Sequence, residues 1–582
     1  MKRYTYIITI VVLFFTTTYS LYAQQVNDFF RAAGTPHNPK VNIAFNRYYT
    51  SEGLASLSKK IAEAYPNLVK RQSIGKSTEG KDIWLLAVTD YSVGNPDRKP
   101  GFYVDGNIHS NEIQGGEISI YTAWYLTESF NDVAYIKNML RDRIFYIVPT
   151  INPDARNNYM KEANTAHSPR SGMIAIDDDG DGLFDEDTYD DLDADGSITS
   201  MRRKNDNGNM IIDPLDPRKM VRINPDDVVT VQRYELLGGE GLDNDGDGSV
   251  NEDVPGYYDP NRDWAWKWQP AHIQGGAYKY PFSAPENRAV ADFVLKHPNI
   301  AGAQSYHNSG GMLLRGPGAE EDKSTYDRAD TRIYDAIGKK GAEMLPGYRY
   351  MTVYKDLYSV FGGELDWFYG ARGVYTFTNE IFTNYAYYKD KSIKDVDYKA
   401  NKDLLLGDGF TNWKPYDHPT FGDIEIGGFQ KNVGRATPGF LLEEEAHRNM
   451  VFTFYHAHHM PHLSIDKITE KSLGGGLKEV TAIIKNDRMM PTHASQDLKN
   501  KIERPDYISI SGGKVLAGMV VNNDDFKVNT EQKIKPSIIK ITNIPGNSVI
   551  KVRWIVKGGN NYKVTVDSAK GGIVTNTLND FK

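Results

Sequence analysis

The chain has 582 residues, of which 40% are hydrophobic and 25% charged, and its formal net charge is −8. A chain of this length exceeds what one hydrophobic core can bury, so two or three domains are expected. The negative charge lies in Asp-rich runs and no basic stripe occurs, which excludes nucleic acid as an expected partner. The sequence contains no Cys, so disulfides and thiolate metal ligands are excluded as well.

The N-terminus has the layout of a cleaved secretory signal peptide. A positively charged start at residues 1–3 is followed by an apolar run over residues 6–15 and by a polar segment that ends at Ala23. The apolar run is too short to span a bilayer comfortably, which disfavours an uncleaved membrane anchor. We predict cleavage after Ala23, a secreted or periplasmic protein, and no stable membrane insertion after cleavage.

The predicted elements indicate an α/β domain followed by an all-β domain. Helices are predicted within residues 44–72 and over 115–130, and strands over 83–88, 101–105 and 143–149. Strands that alternate with helices are typical of α/β domains, and the pattern resumes near Arg288 and runs to about residue 430. From about residue 464, short alternating runs indicate a C-terminal β-sandwich. The predicted division is a signal peptide (1–23), an α/β domain (24–430), a helical connector (431–463) and a β-sandwich (464–582).

Asp-rich loops interrupt the α/β pattern between about residues 165 and 257. A segment that begins at Asp177 is repeated from Asp243, and a third loop of the same form begins at Asp191. Alternating Asp side chains place carboxylates on one side of a tight turn, as in EF-hand-like calcium loops. No loop has Glu at its twelfth position, and a solvated acidic loop is the alternative. We predict structural Ca²⁺ in at least one loop, with these candidate ligands: Asp177, Asp179, Asp181, Asp191, Asp193, Asp195, Asp243, Asp245 and Asp247.

Three further segments carry candidate catalytic residues. His109 and Glu112 lie three residues apart after a predicted strand, a spacing that lets both bind one zinc ion. His307 follows another predicted strand and can complete a three-ligand site whose fourth position is left to water. Glu380 ends an apolar strand, where a carboxylate is costly to bury without a task or a partner. Taken singly, each has an ordinary explanation as a hydrogen-bonded core His or a Glu paired with a base.

The ordered set of these segments resembles the M14 zinc carboxypeptidases over about residues 44–430. The resemblance begins at residues 65–68 and 74–80 and continues through the segments just described. It implies a zinc-carboxypeptidase-like mixed sheet flanked by helices, and a peptide substrate with a free C-terminal carboxylate. It also implies one Zn²⁺ per chain held by His109, Glu112 and His307, with Glu380 as the general base.

The same resemblance implies roles for residues around the metal. Asn261 and Arg262 match the pair that binds the terminal carboxylate of the substrate. Asp259 matches the acid that orients the first zinc-binding His. Tyr358 occupies the place of the mobile tyrosine that closes over the substrate.

Three positions make the resemblance less direct. The arginine that stabilises the transition state is expected within residues 201–204, with Arg202 favoured over its neighbour Arg203. Asn111 stands where some relatives have a substrate-contacting Arg. Leu365 occupies the base of the side-chain pocket, where it is compatible with apolar or aromatic terminal residues.

Three functions stay open from the sequence. The leading one is a secreted zinc metallocarboxypeptidase. The second is a related zinc amidase or peptidase that acts on cell-wall peptides, and the third is a non-catalytic binding protein on a degenerate peptidase scaffold. The joint presence of three metal ligands and Glu380 favours an enzyme, because an inactive scaffold has no chemical need for all four.

Overall fold

The computed structural model describes residues 32–581 except 179, 225, 257, 389–391 and 394. The predicted signal peptide and Asp179 therefore lie outside the described residues. None of the helices in the described ranges is both long enough and apolar enough to cross a lipid bilayer.

Strands and helices alternate through the first three quarters of the chain. The strands are β1 (Val69–Lys76), β2 (Asp82–Val88), β3 (Gly101–Gly106), β4 (Ile144–Val148), β5 (Ser200–Lys204), β6 (Met210–Asp213), β7 (Asp216–Arg222), β8 (Tyr234–Gly239), β9 (Ile300–Asn308), β10 (Met312–Arg315), β11 (Arg349–Thr352), β12 (Tyr375–Ile381), β13 (Phe410–His418) and β14 (Gly422–Phe429). The helices are α1 (Ser51–Ala64), α2 (Gln114–Glu128), α3 (Ala134–Asp142), α4 (Pro153–Lys161), α5 (Pro285–Lys296), α6 (Arg328–Met344), α7 (Val353–Asp356), α8 (Glu364–Arg372), α9 (Val396–Asp403) and α10 (Leu442–His458).

Eight of these strands form a mixed sheet in the order β1-β2-β4-β3-β9-β12-β10-β11. The central strands β4, β3, β9 and β12 run parallel, and they are apolar on both faces. In β4, for example, Phe145 and Ile147 face one hydrophobic cluster, whereas Tyr146 and Val148 face the other. Helices α1, α2, α3, α6 and α10 contribute to the first cluster, α5 contributes to the second, and α8 contributes to both. The carboxyl ends of β3, β9 and β12 consequently meet at one edge of a sheet covered on both faces.

A second sheet has six strands in the order β13-β14-β5-β8-β6-β7. Four of its strands come from the Asp-rich insertion. The other two, β13 and β14, come from residues 410–429, near the end of the range predicted as the α/β domain. They pair with the insertion, for example Ile426 with Met201. Strands that meet across two hundred residues leave no local trace in the hydrophobic pattern, so periodicity alone could not assign them.

The C-terminal part is all-β apart from one short helix. Its elements are β15 (Leu463–Gly474), β16 (Leu477–Asn486), α11 (Ser495–Asn500), β17 (Asp506–Ser511), β18 (Lys514–Asn523), β19 (Val528–Glu531), β20 (Ile538–Ile541), β21 (Ser548–Lys557), β22 (Lys563–Ser568) and β23 (Gly572–Thr577). The strands form a five-stranded and a four-stranded sheet that share one hydrophobic core, in which Trp554 is fully buried. The predicted fold class, an α/β domain with a C-terminal all-β part, is confirmed.

Buried polar contacts join the C-terminal part to the turn between α8 and β12. The Lys570 ammonium donates to the carbonyls of Arg372 (2.8 Å) and Gly373 (3.0 Å). The Gln496 side-chain amide donates to the Gly370 carbonyl at 3.0 Å. These carbonyls belong to the last turn of α8, which has no intrahelical donors for them. The C-terminal part therefore caps a helix of the α/β part.

A buried histidine beside this contact makes stability depend on pH. His493 Nδ1 lies 3.0 Å from Asp497 Oδ2, and its Nε2 lies 3.3 Å from Asp506 Oδ1. Burial opposes protonation, but the two carboxylates raise the pKa of His493 to about 9. A raised folded-state pKa stabilises the folded protein fully below the unfolded value of about 6.5, and this contribution is lost as the pH rises through the folded value.

We therefore expect wild type to lose its stability advantage over His493→Gln in alkaline solution. The advantage should be up to about 3 kcal/mol below pH 6.5, at about 1.4 kcal/mol per pKa unit, and should shrink as the pH approaches 9.5. Melting temperatures of both proteins between pH 6 and 9.5 measure it, since other titrating groups cancel in the difference. A constant difference across this range would contradict the assignment of the shift to His493.

Candidate active site

A tight turn between β3 and α2 carries the first two candidate ligands. The backbones pack so closely here that a Cβ on Gly106 would lie 2.5 Å from the Gly115 carbonyl carbon. Asn107 adopts a left-handed conformation with φ 61°. Its side-chain amide donates to the carbonyls of His109 (2.7 Å) and Ser110 (3.0 Å). The close contact between Gly106 and Gly115 and the hydrogen bonds of Asn107 together fix the turn that carries His109 and Glu112.

Three donor atoms converge at the carboxyl edge of the central sheet. Glu112 Oε2 lies 3.0 Å from His109 Nδ1 and 2.9 Å from His307 Nδ1. The two Nδ1 atoms are 3.1 Å apart, and all three side chains are buried. Ligands at about 2.1 Å from a tetrahedral zinc ion are separated from one another by roughly 3.4 Å. The donor set of two imidazoles and one carboxylate, and its spacing, therefore fit a zinc ion with an open fourth position.

Asp259 orients the first imidazole. Its Oδ1 lies 2.9 Å from His109 Nε2, which leaves Nδ1 free to face the other two donors. Burial opposes ionisation of Asp259, but Arg262, His109 and Arg170 hold its pKa well below the usual range. Burial likewise opposes ionisation of Glu112, and the neighbouring His109, Arg170 and His307 hold its pKa well below the usual range. Both carboxylates are thus kept charged, as metal binding requires.

Glu380 lies beside the metal cluster. It pairs directly with His307 across the parallel strands β12 and β9, so both side chains point to the same side of the sheet. Burial, and then the charge of Glu112, raise the pKa of Glu380 to about 7. Unlike the three cluster residues, Glu380 is partly exposed. The structure thus places a carboxylate with a high proton affinity at the open side of the cluster.

The structure does not bring Arg202 to this site. Its Nε donates to Glu425 Oε2 at 2.7 Å in the second sheet. Its guanidinium stacks over Trp413 at 4.0 Å and Tyr234 at 4.6 Å. The neighbouring Arg203 pairs with Glu235. These contacts arise because β5 pairs with β14 and β8, which directs residues 201–204 into the insertion.

Arg170 occupies the site instead. Its Nη1 donates to Glu112 Oε1 at 2.8 Å and its Nε to Asp259 Oδ2 at 3.2 Å. Burial opposes protonation, but Asp259, Glu112 and Glu380 raise the pKa of Arg170 further above its usual range. Sequence reasoning missed this residue, although its position shortly before the first Asp-rich loop, which begins at Asp177, was a usable signal.

The residues expected to bind a terminal carboxylate lie next to Asp259. Arg262 Nη1 donates to the Asn261 carbonyl at 2.8 Å and lies 3.6 Å from Asp259 Oδ2. The Asn261 side-chain oxygen accepts from the Glu364 amide at 2.8 Å, at the start of α8. The loop before α8 touches the same place, since a Cβ on Gly362 would lie 2.6 Å from the Arg262 carbonyl oxygen.

The remaining predicted side chains differ in how firmly the fold holds them. Tyr358 lies on the loop before α8 and is 56% exposed, so its ring is not fixed by the core. Leu365 is buried in a small cluster with Leu314 and Val353. Asn111 is buried, and its amide donates to the Ala166 carbonyl at 3.3 Å.

A second arginine that sequence reasoning missed reaches the cluster from outside the α/β sheet. Arg435 follows β14, and its Nη2 donates to Glu112 Oε1 at 3.0 Å and to the Asn308 carbonyl at 3.1 Å. Its own carbonyl accepts from Asn308 Nδ2 (2.9 Å) and Gln114 Nε2 (3.2 Å). No local sequence signal distinguishes this arginine, because its place depends on the pairing of the second sheet.

The Asp-rich loops form carboxylate groups away from this site. The loop that begins at Asp191 brings three of its predicted ligands close to Glu240, a fully buried residue just after β8. Burial, and then the nearby Asp side chains, raise the pKa of Glu240 to about 7. Glu240 supplies from elsewhere in the chain the carboxylate that the twelfth loop position lacks. The carboxylate groups found among the described residues of the insertion are Asp191, Asp193, Asp195 and Glu240; Asp243, Asp245 and Asp247; Asp181, Glu186 and Asp245; and Asp187, Asp245 and Glu252.

The two repeated loops are joined reciprocally. The buried carboxylate of Asp187, which ends the first loop, accepts from the amides of Asn244 (3.3 Å) and Asn251 (2.9 Å) of the second. Asp253, which ends the second, accepts from the amides of Asp178 (3.3 Å) and Asp185 (3.0 Å) of the first. Within each loop the first Asp closes the turn, as when Asp177 accepts from Gly180 and Gly182. Asp177 belongs to none of the carboxylate groups found among the described residues.

Comparison with known proteins gives partial matches in sequence and structure. Carboxypeptidase D of Mus musculus is 27% identical over 123 residues, which cover 21% of this chain and 9% of that protein. Carboxypeptidase M of Mus musculus is 32% identical over 112 residues, covering 19% and 24%. The inactive metallocarboxypeptidase ECM14 of Ajellomyces capsulatus (strain H143) is 30% identical over 125 residues, covering 22% and 21%. The matches thus span less than a quarter of each of these relatives. The crystal structure of thrombin activatable fibrinolysis inhibitor superimposes with a TM-score of 0.41 and 16% identity, over 71% of this chain and 75% of that one.

Family models match most of the described chain. A domain family of unknown function matches residues 462–579. The zinc carboxypeptidase model matches residues 54–171 and 204–397, which together are more than half of the chain and include the metal cluster, Arg170 and Glu380. The chain therefore belongs to the M14 zinc carboxypeptidase family.

Proposed function

We propose that the protein is a secreted zinc metallocarboxypeptidase that removes C-terminal residues from peptides. The observation that carries this proposal is the convergence of His109, Glu112 and His307 beside Glu380 and Arg262. A zinc-dependent amide hydrolase can use the first four groups to hold the metal and to move a proton, and a carboxypeptidase also uses a cation for the terminal carboxylate. A zinc ion bound there would supply Lewis-acid polarisation of the scissile carbonyl and would lower the pKa of a bound water.

Each of the site residues around the metal cluster has a separate role in this proposal. Glu380 takes a proton from the attacking water and returns it to the leaving amine, a role suited to a carboxylate whose pKa is raised to about 7. Arg170 stabilises the negative charge that develops on the carbonyl oxygen. Asn261 and Arg262 hold the terminal carboxylate, and Tyr358 closes over the bound residue.

Release of C-terminal residues from a mixed peptide pool tests this function. We expect loss of single residues, abolished by a zinc chelator and restored by added zinc, with apolar or aromatic residues released fastest because Leu365 offers no charge. One bound zinc per chain with no release would instead favour a cell-wall peptide or another amide as substrate. A protein that neither binds zinc nor releases residues would be a binding protein on a degenerate scaffold.

Secretion, or export to the periplasm, and the domain division belong to the same proposal. Cleavage after Ala23 would give a mature chain of an α/β domain to residue 430, a connector over 431–463 and the β-sandwich from residue 464. N-terminal sequencing of the exported protein tests the cleavage site. A mature protein that begins at Met1 would contradict it.

We further propose that the Asp-rich insertion binds structural Ca²⁺. The loop at Asp191 carries the argument, because three Asp side chains and the buried Glu240 converge there and repel one another without a cation. Carboxylates in this number suit Ca²⁺, which takes six to eight oxygen ligands.

A calcium-dependent melting temperature is the expected result. Ca²⁺ at a hundred times its dissociation constant adds about 2.7 kcal/mol to the stability of the folded state, so melting in CaCl₂ should exceed melting in EGTA by several degrees. Glu240→Gln should reduce this difference, whereas Glu235→Gln, at a half-exposed position of strand β8, should not. Equal melting temperatures of wild type with CaCl₂ and with EGTA would overturn the calcium proposal.

A further inference from the structure

A cavity of about 620 Å³ opens beside the metal cluster. Ser309 and Gly310, which follow the β9 strand of His307, form part of its wall, and so do Phe382 and Thr383, which follow the β12 strand of Glu380. The carboxylate-binding pair Asn261 and Arg262 is not among its lining residues. If the terminal residue of a substrate lies against that pair, the rest of the peptide has to leave by another route, and this cavity begins where the two catalytic strands end.

Two of the arginines at the cluster share one carboxylate oxygen. Arg170 Nη1 lies 2.8 Å and Arg435 Nη2 lies 3.0 Å from Glu112 Oε1. Because Glu112 carries a single negative charge, it cannot balance both guanidinium groups.

Arg435 is rigidly held next to the cavity. Gly434, the residue before it, forms part of the wall. The loop is fixed by Tyr159, whose hydroxyl donates to the Lys431 carbonyl at 2.8 Å, and by Tyr48, whose hydroxyl donates to the Thr437 carbonyl at 2.6 Å. Its guanidinium is only 14% exposed, and its Nε is buried with no hydrogen-bond partner among the described residues. A preorganised, incompletely satisfied guanidinium is suited to bind a carboxylate.

A second cation lies on the wall of the cavity itself, whereas Arg435 lies next to the wall. Arg349, the first residue of β11, is exposed and forms no ion pair with a carboxylate in the described ranges of the chain. Among the described residues of the wall, only Asp397 is acidic. It accepts from Asn384 Nδ2 at 2.7 Å and lies in the first turn of α9, where negative charge is stabilised. The described residues of the wall therefore present more available positive than negative charge.

We propose that this cavity binds the segment of the substrate on the N-terminal side of the scissile bond and selects a second carboxylate there. The substrates would be peptides with an acidic residue one or two positions before the terminal residue, recognised by Arg435 and Arg349. This inference rests on the proposed carboxypeptidase function and adds a substrate class to it. Arg435 is a specificity residue supplied by a segment beyond residue 397, where the match to the zinc carboxypeptidase model ends.

Matched peptides test the proposal. Acetyl-Ala-Glu-Phe and acetyl-Glu-Ala-Phe are compared with acetyl-Ala-Gln-Phe and acetyl-Gln-Ala-Phe, which share the same terminal residue. We expect kcat/KM to be about 10-fold higher for at least one Glu peptide than for its Gln partner, and the ratio to fall as salt screens the charges. Arg435→Gln and Arg349→Gln should each lower this ratio at least about threefold, whereas Lys340→Gln on the exposed face of α6 should leave it unchanged. Zinc content is measured in every variant, because Arg435 also touches Glu112.

Binding separates this inference from the proposed function. Dissociation constants of the four peptides are measured by calorimetry on zinc-loaded Glu380→Gln protein, alone and combined with Arg435→Gln or Arg349→Gln. If no peptide is hydrolysed by wild type but Glu peptides still bind about 10-fold more tightly, the carboxypeptidase function fails and the acidic subsite stands. Equal affinity for Glu and Gln peptides, or a preference that survives both arginine substitutions, would overturn the subsite.

Discussion

Replacing Glu380 by Gln should lower kcat/KM for peptide release by about 10³-fold while zinc stays bound at one ion per chain. General acid–base catalysis contributes typically about 10² to 10⁴ in rate, and the amide of Gln can neither accept nor return the proton. Gln has the shape of Glu, and Glu380 is only partly buried at the strand end, so the fold should persist. Steady-state kinetics on one good peptide, with metal analysis of the same sample, gives both quantities.

Two comparisons make the result specific. Glu343→Gln, on the exposed face of α6, changes the same functional group far from the site and should leave kcat/KM within about twofold of wild type, as surface substitutions usually do. His307→Ala should also abolish activity, but with loss of zinc. Glu380→Gln protein that retains both zinc and more than a tenth of the activity would show that another group moves the proton.

Arg170→Gln should lower kcat by about 10²-fold or more, the usual effect of removing a donor to a developing oxyanion. Arg202→Gln should leave kcat nearly unchanged and lower the melting temperature instead, because Arg202 binds Glu425 and stacks on two aromatic rings inside the second sheet. The kinetics are measured at saturating zinc, since Arg170 also contacts Glu112 and Asp259. The reverse result, a kcat loss in Arg202→Gln with unchanged melting, would return the transition-state role to residues 201–204.

The metal cluster could be anticipated because its signals are local. His109 and Glu112 lie three residues apart after an apolar strand, and His307 and Glu380 each stand at the end of another. Parallel strands place their carboxyl ends at one edge of the sheet. Strand direction alone therefore predicts that these four residues, from the ends of three strands, lie at the same edge. The resemblance to a known family supplied their order.

The arginines were beyond the reach of the same reasoning. A run such as Arg202-Arg203 carries no information about which way its guanidinium groups point. Their direction depends on the pairing of β5 with β14, which lies more than two hundred residues further along the chain. Arg170 and Arg435 lie in irregular segments without periodicity. Glu240, just after β8, adds its carboxylate to the loop at Asp191 from another part of the chain. Side chains placed by long-range pairing or irregular backbone leave little local pattern to detect.

The reciprocal hydrogen bonds of the two repeated loops have a consequence for how the insertion responds to ions. Asp187 of the first loop accepts two hydrogen bonds from backbone amides of the second, and Asp253 of the second accepts two from the first. Neither loop can unfold without breaking hydrogen bonds to the other. Such a pair forms one cooperative unit with a single folding equilibrium. An ion that orders one loop has already met part of the entropic cost of ordering its twin, which is positive cooperativity without contact between the ions. Titration of these two repeated loops with Ca²⁺ should therefore follow a single sigmoidal curve in place of two independent hyperbolic steps.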